Sequence, residues 1–202
     1  MSVNPVQDLA VEVKENRKSE HDVSPLFLNR WSPRAYSYQP VSDEDLYQVL
    51  EAGHWAASSF NDQPWRFIVA KTKEDLKTFH DFLNPFNRTW ASKAPVLVLI
   101  ASDTLRENGD KNRAHAFDAG AAWANIALQA TILGLSTHAM GGFDREQARK
   151  VLNLPDTYEV HAVITIGYRG DKEILDESLQ DREVPNTRKP LEEVVFFGKV
   201  EK

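Results

Sequence analysis

Arg30-x-Ser32-x-Arg34 places two guanidinium groups and a hydroxyl at alternating positions. Side chains of an extended segment repeat every two residues, so these three can converge on one side. Bidentate, charge-assisted bonds to arginine suit such a cluster to a phosphate; a basic loop paired with local acids has the same pattern. Ala57-Ser58-Ser59-Phe60-Asn61-Asp62-Gln63-Pro64-Trp65 lines up hydroxyl and amide groups that can hydrogen-bond the edge of a planar heterocycle or a polyol. A polar helix-to-strand turn draws on the same residue types. In Met140-Gly141-Gly142-Phe143 the paired glycines let backbone N–H groups approach a ligand closely, and a plain strand-to-helix turn fits equally well. Asn186-Thr187-Arg188-Lys189-Pro190 is either a late cation for the same phosphate or a basic turn.

Other chemistries lack their residues. There is no G-x-G-x-x-G, no Walker loop and no G-x-S-x-G elbow. The 6 histidines (His21, His54, His80, His115, His138, His161) are scattered with no H-x-x-x-H pair, so each reads as a surface or core residue before a metal ligand. Cysteine is absent, which removes disulfides, thiolate metal sites and cysteine nucleophiles together. A net charge of −6 and a pI near 5.5 argue against sequence-independent nucleic-acid binding, which needs a positive surface. No stretch reaches the roughly 18 apolar residues of a membrane span. Met1–Ser24 has neither an apolar signal core nor the acid-poor composition of a transit peptide. The expectation is a cytoplasmic protein without nucleic-acid or membrane partners.

These residues need elements to position them, and 202 residues with 42% hydrophobic content suffice for one domain with a real core. Residues 1–22 read as a flexible tail and 23–202 as the folded domain. Ser42 with Asp45 resembles a capping box and starts a helix whose apolar face holds Leu46, Val49, Leu50 and Gly53. Trp65–Ala70 reads as a strand, Lys73–Phe82 as a helix, and Val96–Ala101 as a strand buried on both faces. The Ala-rich stretch from Asn112 to Leu133 predicts the longest helix, ended by Gly134. A short strand reaches Met140, Asp144 caps a helix through Leu152, and Val160–Gly167 forms another strand. The charged stretch Asp171–Glu183 reads as a solvated, irregular face, and Leu191–Phe197 as an extended apolar run. One α+β layer domain with a mixed sheet accounts for this order.

Taken together and in order, these pieces resemble the FMN-dependent nitroreductase family from about Leu26 to Phe197. The carriers are Arg-x-Ser-x-Arg, Ser-Ser-x-Asn-x-Gln-Pro-Trp, Asn87 followed by Ala94-Pro95, Asp118-Ala119-Gly120, Gly-Gly-Phe-Asp, and a closing Arg-Lys-Pro-Leu-Glu-Glu-Val-Val. The resemblance implies a mainly antiparallel sheet flanked by helices, in a domain-swapped homodimer whose C-terminal strands exchange. It implies two FMN sites, each built from both chains. Arg30, Ser32 and Arg188 would hold the phosphate, Arg34 would reach the pyrimidine edge, and Asn87 the ring's polar edge. Gly141 and Gly142 would lie beside the ring, with the Gly142 N–H facing N5. Ser58, Ser59 and Asn61 would contact the partner's flavin, and Trp31, Gln63 and Met140 complete the set. Asn186 and Trp90 stand where certain members have lysines.

The implied activity is oxidoreduction by ping-pong hydride transfer from NADH or NADPH to a nitroaromatic, quinone or related small-molecule acceptor, with no catalytic side chain. Two alternatives share the residues: a narrower flavoenzyme (flavin-fragmenting, dehalogenating or azoline-oxidising), and a non-catalytic FMN-binding or storage protein.

Overall fold

The computed structural model describes residues 4–200, so the ends of the expected tail (1–3) and of the expected domain (201–202) lie outside the described residues. In chain order the elements are α1 (Val11–Asn16), α2 (Pro25–Asn29), α3 (Asp43–His54), β1 (Trp65–Ala70), α4 (Lys73–Phe82), α5 (Pro85–Ala91), β2 (Val96–Asp103), α6 (His115–Ile132), β3 (Leu135–Met140), α7 (Arg145–Val151), β4 (Tyr158–Tyr168) and α8 (Glu177–Gln180).

The four strands lie in the order β1-β2-β4-β3, and every neighbouring pair is antiparallel. No parallel pair occurs among the described residues, so the mixed part of the sheet expectation is not met within this chain. The central strand β2 explains its own continuous apolar run. Leu97, Leu99 and Ala101 enter a core with Phe79, Phe82, Trp90, Met140 and Phe143. Val96, Val98 and Ile100 enter a second core with Val49, Ile126 and Ile164 on the other face. Period-two alternation is thus preserved while both faces are apolar.

Helix termini follow local chemistry. The Ser42, Thr72, Asn84 and Asp144 side chains each accept the backbone N–H three residues on, starting α3, α4, α5 and α7. Gly134, with φ at 74°, follows α6. Helix α3 lies against α6 because Gly53 has no Cβ; one placed there would meet Ile126 Cγ1 at 2.7 Å.

Two expectations change, and the segment expected as a flexible tail makes contacts with the domain over its described residues 4–22. Val13 is buried, and the Asn29 side chain binds Pro5 O, Asp8 O and the Ala10 N–H. The stretch Asp171–Glu183 is not wholly a solvated face, because Leu175, Leu179 and Glu183 are buried. The run Leu191–Phe197 begins as a tight turn, with Val194 N and Val195 N donating to Leu191 O, and its side chains are exposed. An extended segment needs a neighbouring edge to satisfy its backbone, and the described residues pair this one with none.

Candidate functional site

Arg30 ends α2, whose start is set by Ser24 and Pro25, and its Nη1 donates to Ser32 Oγ at 3.2 Å. The expected alternation therefore holds for this pair. Trp31 between them is buried and carries the Arg169 guanidinium 4.8 Å over its ring. It lines a cavity of about 420 Å³ with Pro5, Asn29 and Leu133, apart from the other candidate residues, so its side chain does not join the set.

Arg34 is held through its backbone. The Glu183 carboxylate accepts from Arg34 N–H (2.7 and 3.0 Å) and Ala35 N–H (2.8 Å). The guanidinium lies 5.8 Å from the centre of the Trp90 ring, and its buried Nε has no hydrogen-bond partner among the described residues. The His138 ring lies 4.6 Å from the same indole, tilted 41° to it. Its Nδ1 lies 3.1 Å from Pro33 O, and since a carbonyl only accepts, that nitrogen carries the proton. Burial first, then the Arg34 charge, pushes the His138 pKa down to about 4, so the ring is neutral at pH 7. Trp90, in a flavin-facing position by resemblance, is a core residue with 1% exposure.

Helix α5 joins this group to the paired glycines. One turn before Trp90, Asn87 donates from Nδ2 to Gly142 O at 3.0 Å, and Asn84 N–H donates to the same carbonyl at 3.2 Å. A Cβ on Gly142 would fall 2.3 Å from Asn84 Nδ2 and 2.7 Å from Asn87 Nδ2. Only glycine lets the turn close onto these amides. The Gly142 N–H itself meets no acceptor among the described residues. Gly141 is exposed, with Arg145 reaching its carbonyl at 3.4 Å. Met140 departs from expectation: its side chain is buried in the core, leaving only its backbone beside the turn.

Arg188 lies on an exposed segment, and its charge reaches both Arg30 and Arg17, lowering the pKa of each together with burial, the larger cause. The neighbouring Asn186 contributes its carbonyl to Arg17 at 2.8 Å.

The Ser58–Gln63 loop stands apart from these groups. Phe60, Asn61 and Gln63 all have positive φ (53°, 59° and 46°), a region unfavourable for side chains other than glycine and, less so, asparagine. Local bonds hold it: Ser58 Oγ accepts Gln63 N–H at 3.1 Å, Gln63 Nε2 donates to Asn61 O at 2.9 Å, and Asp118 at the start of α6 accepts Ser59 N–H at 3.1 Å. Arg106 pairs with Asp62 at 3.0 Å and lies 4.6 Å over the Phe60 ring. Phe60 and Asn61 face solvent.

Two features escaped the sequence reading. Glu183 has no local signal that distinguishes it from its charged neighbours. Helix α5 was announced by Asn84-Pro85, an N-cap followed by proline at the first helical position. The structure also gathers two of the scattered histidines: His115 Nδ1 and His161 Nε2 lie 2.7 and 2.6 Å from the buried Ser102 hydroxyl. Glu159 flanks their outer nitrogens rather than pointing to a common centre. No cluster of three or more metal-ligating side chains occurs among the described residues, and none of their helices is long and apolar enough to cross a membrane.

The nitroreductase family model matches residues 28–90 and 79–168. The chain is 28% identical over 208 residues to a Thermus thermophilus NADH dehydrogenase, covering 87% of this chain and 96% of that protein. A crystal structure of an oxidoreductase containing FMN superposes with a TM-score of 0.88 at 44% identity, covering 92% of this chain and 96% of that one. A Desulfovibrio desulfuricans protein in complex with FMN superposes with a TM-score of 0.68 at 27% identity over 87% and 96%. Four antiparallel strands, an arginine–serine cradle and a glycine turn locked by asparagine thus accompany a match over most of the sequence, and the chain belongs to the nitroreductase family of oxidoreductases.

Proposed function

We propose that this chain binds FMN and uses NADH or NADPH to reduce a nitroaromatic, quinone or related small acceptor. The observation that carries this reading is the Arg30–Ser32 pair at 3.2 Å, with the Arg188-bearing segment tied to it through Arg17, which donates to both Arg30 O and Asn186 O; among the described residues Arg30 forms no ion pair. Such a cluster wants an anion, and the Gly142 N–H, without an acceptor among the described residues, supplies a donor suited to a flavin ring.

Bound FMN would supply two-electron hydride chemistry, and the protein's part is to bind, orient and tune it. Arg30, Ser32 and Arg188 would hold the phosphate. Arg34 at the pyrimidine edge would stabilise negative charge there more than it stabilises a neutral ring, which turns binding into catalysis. Neutral His138 adds no competing charge behind Arg34. Asn87 would keep Gly142 in place, leaving its N–H to donate to the ring. Reductant and acceptor would take turns at one open face, giving ping-pong kinetics, and no side chain is nominated as nucleophile or acid.

The second half of each site would come from a partner subunit. Phe117, Gly120 and Ala124 on α6 are exposed, as are Val194, Val195, Phe196 and Phe197. Apolar surface of this extent favours cover. A C2 homodimer with exchanged C-terminal segments would provide it and set Ser58, Ser59 and Asn61 against the partner's flavin. Sedimentation of the flavin-loaded protein should give twice the 22.9 kDa chain mass; a monomer mass would remove the shared site. The activity is tested by anaerobic titration of the yellow protein with NADH and with NADPH. Rapid bleaching is expected; indifference to both would leave only flavin storage.

A further inference from the structure

Arg17 lies in the segment that composition marks as a tail, yet its guanidinium reaches three backbone carbonyls. Nε donates to Asn186 O at 2.8 Å, and Nη1 donates to Arg30 O at 2.9 Å and Leu28 O at 2.5 Å. Two of these carbonyls belong to the end of α2, where Arg30 sits. The third belongs to the segment carrying Arg188, far away in sequence. One planar guanidinium therefore bonds both the segment that carries Arg30 and the segment that carries Arg188.

The arm bearing Arg17 is fastened at several points. Asn29 holds its start through Pro5 O, Asp8 O and Ala10 N–H. Val13 is buried, Glu12 pairs with Arg169, and Glu20 accepts Leu191 N–H at 3.3 Å. These contacts cost the arm its conformational freedom, and they deliver Arg17 to a point where Arg30 and Arg188 already repel each other. Burial first, then the charges of Arg188 and Arg30, bring the Arg17 pKa down to about 10. Like charges held together in an acidic chain need a tether in the empty state and an anion in the filled one.

We propose that Arg17 is a positioning residue for the phosphate end of the flavin site, tying the Arg30-bearing and Arg188-bearing segments side by side. This rests on the FMN reading above. The N-terminal arm is then part of the binding machinery although it touches no cofactor.

The test compares FMN with riboflavin, which lacks the phosphate, by fluorescence quenching on flavin-stripped protein, with melting temperature followed in parallel. Arg17→Ala should weaken FMN about tenfold or more, the scale of a lost charged hydrogen bond. Riboflavin affinity should change by no more than about twofold by the same reasoning. Arg17→Lys should recover little, because an ammonium keeps the charge but cannot offer a planar fork to three carbonyls; it also decides the question should Arg17→Ala not fold. In an Arg188→Ala background the Arg17→Ala change should add almost nothing. Equal loss of FMN and riboflavin would show a merely structural role and overturn the proposal, as would full recovery with lysine. A wild-type protein that prefers FMN strongly while Arg17→Ala keeps that preference sinks the Arg17 proposal alone; a wild type indifferent to the phosphate sinks the FMN reading with it.

Discussion

The Arg30–Arg34 segment and the Ser58–Gln63 loop differ in how their shapes are held. The first is pinned from within. Glu183, at 3% exposure, accepts the Arg34 and Ala35 N–H groups, and Arg17 holds the carbonyls of Leu28 and Arg30. The second keeps three non-glycine residues at positive φ, with Phe60 84% exposed and mostly neighbouring bonds to hold it. Strain of this kind costs of order 1–3 kcal/mol per residue and persists where surroundings or function require it. One half of the proposed site is therefore held in shape by buried contacts within the chain, and the other is a strained surface presented outward.

Breaking the pinned half should have the largest effect. Glu183→Ala leaves the Arg34 and Ala35 N–H groups without their acceptor. Lost hydrogen bonds to a charged group, with buried donors left unpaired, should cost roughly 3 kcal/mol in urea unfolding, and flavin should be lost as well. A change below about 1 kcal/mol would show that the segment holds its shape without the carboxylate.

Arg30→Ala probes the same half without its scaffold. Charged hydrogen bonds to phosphate are worth roughly 1.5–3 kcal/mol, so FMN affinity should fall by one to two orders of magnitude. The melting temperature of the flavin-free protein should hardly move. A variant that purifies with stoichiometric flavin would remove Arg30 from the phosphate site.

How much of this was legible in the sequence follows the range of the interactions. β1 over Trp65–Ala70, α4 over Lys73–Phe82 and the Ser42 cap were read from the chain alone, because period, capping and turn signals act within a few residues. The strands Val96–Asp103 and Tyr158–Tyr168 run past their expected ends because pairing continues beyond the apolar run, with Ser102 opposite Glu159 and Asp103 opposite Tyr158. Arg30 with Ser32 was readable from alternation. Glu183 and Arg17 were not: each binds backbone groups far away in sequence, and any solvated carboxylate or guanidinium looks the same in a one-dimensional pattern. The fate of Trp90 was equally hidden, since its burial depends on Arg34 and His138 arriving from other elements.

His138 gives a pH test of the pinned half. Its folded pKa of about 4 lies below the 6.5 of an unperturbed imidazole, with burial the main cause. Between those values the unfolded chain binds the extra proton and the folded one does not, so stability falls as pH drops from about 6.5 to about 4, then loses nothing further from this group. The loss should be on the order of 3 kcal/mol, read by urea unfolding at several pH values. His138→Gln should flatten that part of the profile; an unchanged slope would place the titration elsewhere, with His80 and His161 shifted in the same direction.

The smallest change in stability should come from the strained loop, where it is also the most telling. Asn61 has φ at 59° and an exposed side chain. Glycine accepts that backbone without penalty, so Asn61→Gly should leave stability unchanged or raise it by about 0.5 kcal/mol. If the loop serves the partner's flavin, the lost amide removes a hydrogen bond worth about 1 kcal/mol, and FMN affinity of the dimer should fall roughly fivefold. Riboflavin should fall by the same factor, because this contact is to the ring and not the phosphate. That equal loss is the opposite of the FMN-selective loss expected at Arg30, so one pair of ligands separates the two halves of the site. Unchanged affinity for both ligands in Asn61→Gly would reduce the loop to a turn between α3 and β1 and leave its strain without a function.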